Sequence, residues 1–203
     1  MKDKWYGDKR DLVKWGVLLT LAKMFSARRI LQVAYYRPDL PEEFLQLEID
    51  GKEYTLPEEV KNHFLNISNI RHMLSETPID VLADEFKNND RDLYHQNVIN
   101  NITNGAHPCL VFLDPDTGLA PPSSKCKLEY VSEDEIKAIW SKLNRVDILA
   151  CYQHRTNRDG NETWADAKKK QFEKALDLPY GSSKLVQGTK IAGDAVILYC
   201  QKT

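Results

Sequence analysis

What the chain lacks narrows it first. Its four cysteines, Cys109, Cys126, Cys151 and Cys200, are scattered, which excludes a Cys-x-x-Cys redox pair or zinc ribbon. Three of them lie in or beside apolar runs, where a reduced cysteine packs as a small hydrophobe, so plain core thiols are expected. No apolar run approaches the roughly 20 residues of a membrane-spanning helix. The opening MKDKWYGDKRD is charged and has no secretion-signal character. A cytoplasmic protein without membrane association is expected. Net charge is nearly absent: 28 Lys and Arg against 30 Asp and Glu leave −2. That excludes a general attraction to nucleic-acid backbones. Glycine is also absent after the first apolar strand, which runs into VAYYRPDLPEE.

What is present is the patterning of an ordinary α/β protein. The chain has 203 residues and a 42% apolar fraction, which suits one domain with a substantial core. GDKRDLVKWGVLLTLAKMF predicts a helix capped by Asp8, with Asp11 in its first turn and apolar residues nearly all round from Leu12 onward. Ile30 to Tyr36 predicts a strand closed by a proline. LQLEIDGKEYTL alternates about Asp50-Gly51 and predicts a hairpin. PEEVKNHFLNISNIRHML predicts a helix, TPIDVLADEF a strand, and NDRDLYHQNVINNIT a helix starting near Asn89 or Asp90. These elements form a less sharply patterned insertion at about 40–100 within a single domain spanning 1–203.

The second half is clearer. Leu110 to Leu113 is a continuous apolar strand of the kind buried on both faces. VSEDEIKAIWSKL predicts a helix whose Ser132 and Glu135 make a capping box. VDILACYQH is another strand, ETWADAKKKQFEKAL a helix, and GDAVILYCQK a last strand. Alternating strands and helices require crossover connections. The expected fold is an α/β, Rossmann-like, three-layer sandwich with a mostly parallel central sheet.

Ligands of such sheets bind beyond the carboxyl ends of the strands. The first strand ends with Tyr35, Tyr36, Arg37 and Asp39. The second ends in Asp114-Pro115-Asp116-Thr117-Gly118, and the third in Gln153, His154, Arg155 and Arg158. Two nearby carboxylates repel, so one pKa rises or a cation is recruited. The same Asp-Pro-Asp-Thr-Gly string also suits an ordinary turn. His154 has the chemistry of a general base or metal ligand, or of a hydrogen-bonded surface residue. Arg10, Asp11 and Lys14 share one side of the first helix, as an exposed ion-pair stripe or a polar seam facing the strand tips. Lys125 and Lys127, in the loop PPSSKCKLEYVS, have the reach to meet an anion. His63, His72, His95 and His107 show no metal-ligand spacing.

GDKRDLVKWGVLLTL, LVFLDPDTGL and ILACYQHR together resemble a group of poorly characterised prokaryotic and phage proteins. That group combines an "RDYFK"-like helix, a "FDPDNGL" strand tip and a later "YQH". More remotely, the layout resembles class I S-adenosylmethionine-dependent methyltransferases. The Asp114-Pro115-Asp116-Thr117 tip stands where the adenine-N6 class has Asp-Pro-Pro-Tyr. The segment GDKRDLVKW is similar to the N-terminal helix of the ribosomal-RNA branch.

The resemblance implies S-adenosylmethionine as cofactor, with Lys14 toward its methionine carboxylate and Asp114 facing the substrate. Together with the strand tips it leads to the expectation of a group-transfer enzyme acting on a small nucleotide-like or anionic ligand, with Asp114, Asp116, His154 and Gln153 as catalytic residues. Arg10, Asp11, Lys14, Tyr35, Thr117, Gly118 and Arg155 would form the cofactor side. Two alternatives stand beside it. One is Mg²⁺- or Mn²⁺-dependent phosphoryl or phosphodiester hydrolysis through Asp114, Asp116 and His154. The other is a catalytically silent nucleotide- or partner-binding module on the same fold.

Overall fold

Four of the apolar runs become parallel neighbours. β1 (Arg29–Val33) lies between β4 (Ile79–Leu82) and β5 (Cys109–Leu113), and β5 pairs in turn with β8 (Ile148–His154). The last strand, β10 (Ala195–Gln201), runs antiparallel between β8 and β9 (Lys184–Val186). The six-stranded order is β4-β1-β5-β8-β10-β9, and the short β6 (Gly118–Leu119) and β7 (Tyr130–Val131) pair separately. The structure is a computed structural model, and it describes residues 2, 6–38, 46–73, 75–122, 126–155 and 163–203.

Side chains alternate along each strand and feed two separate cores. Leu31, Val33, Val111, Leu113, Leu149 and Cys151 pack with α3 (Arg91–Thr103), α4 (Glu133–Lys142) and α5 (Trp164–Ala175). Ile30, Leu110, Phe112, Ile148, Ala150 and Ile197 pack with α1 (Lys9–Met24) and with a 3₁₀ segment over Ile67–His72. All of these strand residues are buried, because a parallel sheet covered on both faces has no solvent side. The protein is thus a three-layer α/β structure with a mostly parallel sheet. Among the described residues no helix is long and apolar enough to cross a membrane.

Local signals account for many element ends. The Asp8 side chain accepts from the Arg10 and Asp11 amides and starts α1. Ser132 and Glu135 form the reciprocal capping box of α4. Asp50 and Gly51 both take positive φ, 52° and 74°, and join β2 (Gln46–Ile49) to β3 (Lys52–Thr55). That hairpin pairs only with itself and lies outside the main sheet.

Three expectations need correction. PEEVKNHFLNISNIRHML is not one helix. It breaks after α2 (Glu58–Phe64), and the Asn66 side chain accepts from the Ser68 amide to start the 3₁₀ turn. α1 is not apolar all round: Leu12 and Met24 are exposed whereas Asp11 and Lys14 are buried. The first strand stops at Val33, because Tyr35 adopts φ 45° and turns the chain. Of the cysteines, Cys109, Cys151 and Cys200 are buried and Cys126 is half-buried.

Candidate functional site

β1, β5 and β8 are adjacent and point the same way, so their C-terminal ends open on one hollow. The chain leaves β1 for β4 on one side and returns through β5 on the other, which is where a doubly wound sheet opens a crevice. There a cavity of about 390 Å³ is lined from α1 by Asp8, Arg10 and Lys14, and from beyond β1 by Arg37. Asp114 to Thr117 line it from the β5 exit, and Tyr152 and His154 from β8. Lys2 and Glu129 complete the wall; Glu129 arrives because its carbonyl accepts from the Thr117 amide.

The floor is a buried charge network. Asp114 follows β5 directly, bonds its amide to the Val33 carbonyl, and is 1% exposed. Its Oδ2 accepts from Gln32 Nε2 at 2.8 Å, and its Oδ1 lies 2.9 Å from Lys14 Nζ. Lys14 Nζ also lies 3.1 Å from Asp11 Oδ1 and 4.5 Å from the centre of the Tyr152 ring. Burial alone would push the ammonium toward neutrality. The two aspartates outweigh it, and Lys14 is held protonated, above its usual range. Burial raises the Asp11 carboxyl, Lys14 opposes the rise and Asp114 adds to it. The carboxylate conflict expected of Asp114 and Asp116 therefore falls instead between Asp114 and Asp11, with one lysine between them.

The rim carries four more interactions. Arg37 pairs with Asp116 across the β1 and β5 exits. Arg10 donates to Asp194 Oδ2 at 2.6 Å and to Asp8 Oδ2 at 3.1 Å. His154 is half-buried, with Nδ1 3.5 Å from the Tyr152 hydroxyl. Burial and then the Arg10 charge lower its pKa below the ordinary 6.5, with Asp194 opposing, so this site disfavours the charged ring.

Several expected site residues lie elsewhere. Gln153 is fully buried; its Oε1 accepts from the Leu119 amide at 2.9 Å and its Nε2 donates to the Thr117 carbonyl at 3.0 Å. Gly118 has φ 121°, and a Cβ there would collide with the Gln153 side chain. These two residues clamp the β5 exit loop onto β8 and do not line the cavity. Tyr35 is fully buried beneath the sheet, against Phe86, Tyr94 and His95, and its amide donates to the Tyr94 hydroxyl. The exposed Arg155 bonds its amide to the Asp194 carbonyl and does not line the cavity. Asp11 supports the floor from behind. Asp39, Lys125 and Arg158 lie outside the described residues, and Lys127 is not part of the wall.

Sequence reasoning missed Asp194 and Tyr152. Tyr152 has no polar signature within an apolar strand. Asp194 reaches the site only because β10 runs antiparallel and sets Ala195 opposite His154.

Among the described residues neither expected cofactor finds a matching donor set. Among the described residues no three His, Cys, Asp or Glu gather closely enough to hold a metal ion. Asp114 and Asp116 are each turned to a cation of the protein. The β1 exit does not fit S-adenosylmethionine held as in a glycine-rich turn, because Tyr35 fills that place and Tyr94 takes its amide.

No protein-family profile matches this chain, and no curated protein sequence matches it. Among solved structures, a DUF574 family protein from Streptomyces avermitilis MA-4680 is similar over 96% of this chain and 82% of its own. Sequence identity is 12% and the TM-score is 0.42, a level of likeness that carries no argument about function.

Proposed function

We propose that the strand-tip cavity takes a small nucleotide-like or anionic ligand, and that the protein is a Rossmann-like, methyltransferase-like enzyme of group transfer. One observation carries this reading: a half-buried His154, placed where its charged form is disfavoured, shares the cavity wall with Arg10 and the buried Lys14. A neutral imidazole at pH 7 has the lone pair a general base needs, and its neighbours supply the charge that holds an anion. His154 takes the proton of an acceptor hydroxyl or amine. Arg10 and Arg37 neutralise ligand charge. Asp114 keeps Lys14 protonated and in place, acting through it rather than on the ligand. The sheet order supports the fold-level reading, with its switch beside β1 and its reversed last strand.

Thermal unfolding with single additions tests the reading, since a ligand of the native state raises its stability by about 2.7 kcal/mol at 100 times Kd. A rise with nucleotides is expected, and it should be lost in a His154→Gln, Arg10→Ala double variant. A rise with Mg²⁺ or Mn²⁺ alone would replace the reading with the hydrolase. The internal pairing of Arg10, Lys14 and Arg37 also favours a second reading, a binding module without chemistry. That module would show the nucleotide rise, yet mass spectrometry would find no product in mixtures of donors and acceptors.

A further inference from the structure

Two guanidinium groups flank the cavity, and each is engaged by carboxylates of the protein itself. Arg37 is held by Asp116, and Arg10 by Asp194 and Asp8. Both arginines line the same cavity, and each keeps an Nε–H shielded from solvent with no hydrogen-bond partner among the described residues. A shielded donor left unsatisfied is costly, so each of these two guanidinium groups has a place for one further acceptor oxygen, while Asp194 Oδ1 beside Arg10 stands without a donor among the described residues. A carboxylate ligand would only exchange one two-oxygen acceptor for another. A phosphate monoester brings three oxygens and a charge near −2 at neutral pH. Guanidinium forks bind such groups bidentately.

We propose that the anionic group recognised here is a phosphate monoester, and that it binds by ion-pair exchange. Its oxygens take Arg37 from Asp116 and Arg10 from Asp194. This rests on the reading of the cavity as the ligand site and adds the chemical class and the manner of entry. Without ligand, Asp116 and Asp194 hold the two forks in place and compete for them. The exchange makes and breaks no covalent bond.

Isothermal titration of the full chain near pH 7.5 with adenosine 5′-monophosphate, adenosine and inorganic phosphate tests the exchange. The monophosphate is expected to bind about tenfold or more tightly than adenosine, with inorganic phosphate competing. Asp116→Asn should tighten the monophosphate by about fivefold, the size of a competing ion pair removed. Arg37→Ala should weaken it by about tenfold or more. Glu129→Gln removes a carboxylate of the same wall outside the two arginine pairs, so it reads the general field alone and should tighten the monophosphate clearly less than Asp116→Asn does. Equal tightening in Glu129→Gln overturns the exchange, because a general field would explain both. So does an unchanged or weaker affinity in a well-folded Asp116→Asn. Should that variant fail to fold, Asp194→Asn carries the same expectation through Arg10. Adenosine binding as tightly as its monophosphate overturns the phosphate assignment and leaves the cavity a ligand site. If nucleotide, nucleoside and phosphate all fail to bind or to shift the His154 resonances, the ligand-site reading itself falls.

Discussion

Lys14 shows how a single side chain ties the first helix to the strand tips. Its ammonium lies between Asp114 and Asp11, all three in the interior, so removing it strands two carboxylates away from water. Lys14→Met is expected to cost about 3–5 kcal/mol in urea unfolding, the range for a buried pair that loses one partner. Combining it with Asp114→Asn should cost less than the sum of the two single changes, as a double-mutant cycle would read out. His154 gives a pH signature of the opposite kind. The folded protein disfavours its charged form, so its folded pKa lies below the unfolded one. Protonation then favours the unfolded chain. His154 therefore withdraws stability as pH falls below about 6.5 and costs nothing of this kind at pH 8. Stability measured from pH 8 to pH 5 should fall less steeply in His154→Gln, and the His154 imidazole resonances of the native protein should titrate below 6.5.

At the scale of elements, α4 joins two roles in one carboxylate. Glu135 closes the capping box with Ser132, and the same group meets Arg91 and, at 2.9 Å, His95 on α3. Burial would raise its pKa, but the bonds from His95 and Arg91 outweigh burial and hold it well below the carboxylate range. Ser132→Ala removes only the cap and should cost about 1 kcal/mol. Glu135→Ala removes the cap and also leaves Arg91 and His95 without their shared anion. Its loss should be clearly larger in the same denaturant titration. The capping box was legible in Ser132 and Glu135 because both partners lie within one turn. The α3 partners were not, since residues 44 and 40 apart meet only when two helices pack on one sheet face.

Across the whole molecule, stability is distributed unevenly. β5 is buried along its full length between β1 and β8. The β2–β3 hairpin stands apart from the main sheet, and Leu47, Ile49 and Tyr54 are 41%, 52% and 48% exposed. A lone two-stranded hairpin is marginal in water. Native-state hydrogen exchange should therefore show residues 46–55 opening at free energies far below the global value, with residues 109–113 exchanging only on global unfolding. Loss of that ranking would mean the hairpin packs more tightly than its exposure indicates.

By themselves the residues determined the alternation of strands and helices, the caps at Asp8 and Ser132, the Asp50-Gly51 turn and the polar endings of three strands. These are local effects, in which backbone conformation and period answer to neighbours a few residues away. Side-chain destinations belonged to the tertiary structure. Only the β1-β5-β8 pairing could set Asp114 on Lys14, turn Gln153 into a clamp and send Tyr35 into an aromatic cluster. Only the reversed direction of β10 could carry Asp194 to Arg10. Charges find partners by distance in space, and in this fold that distance is fixed by strand order and direction.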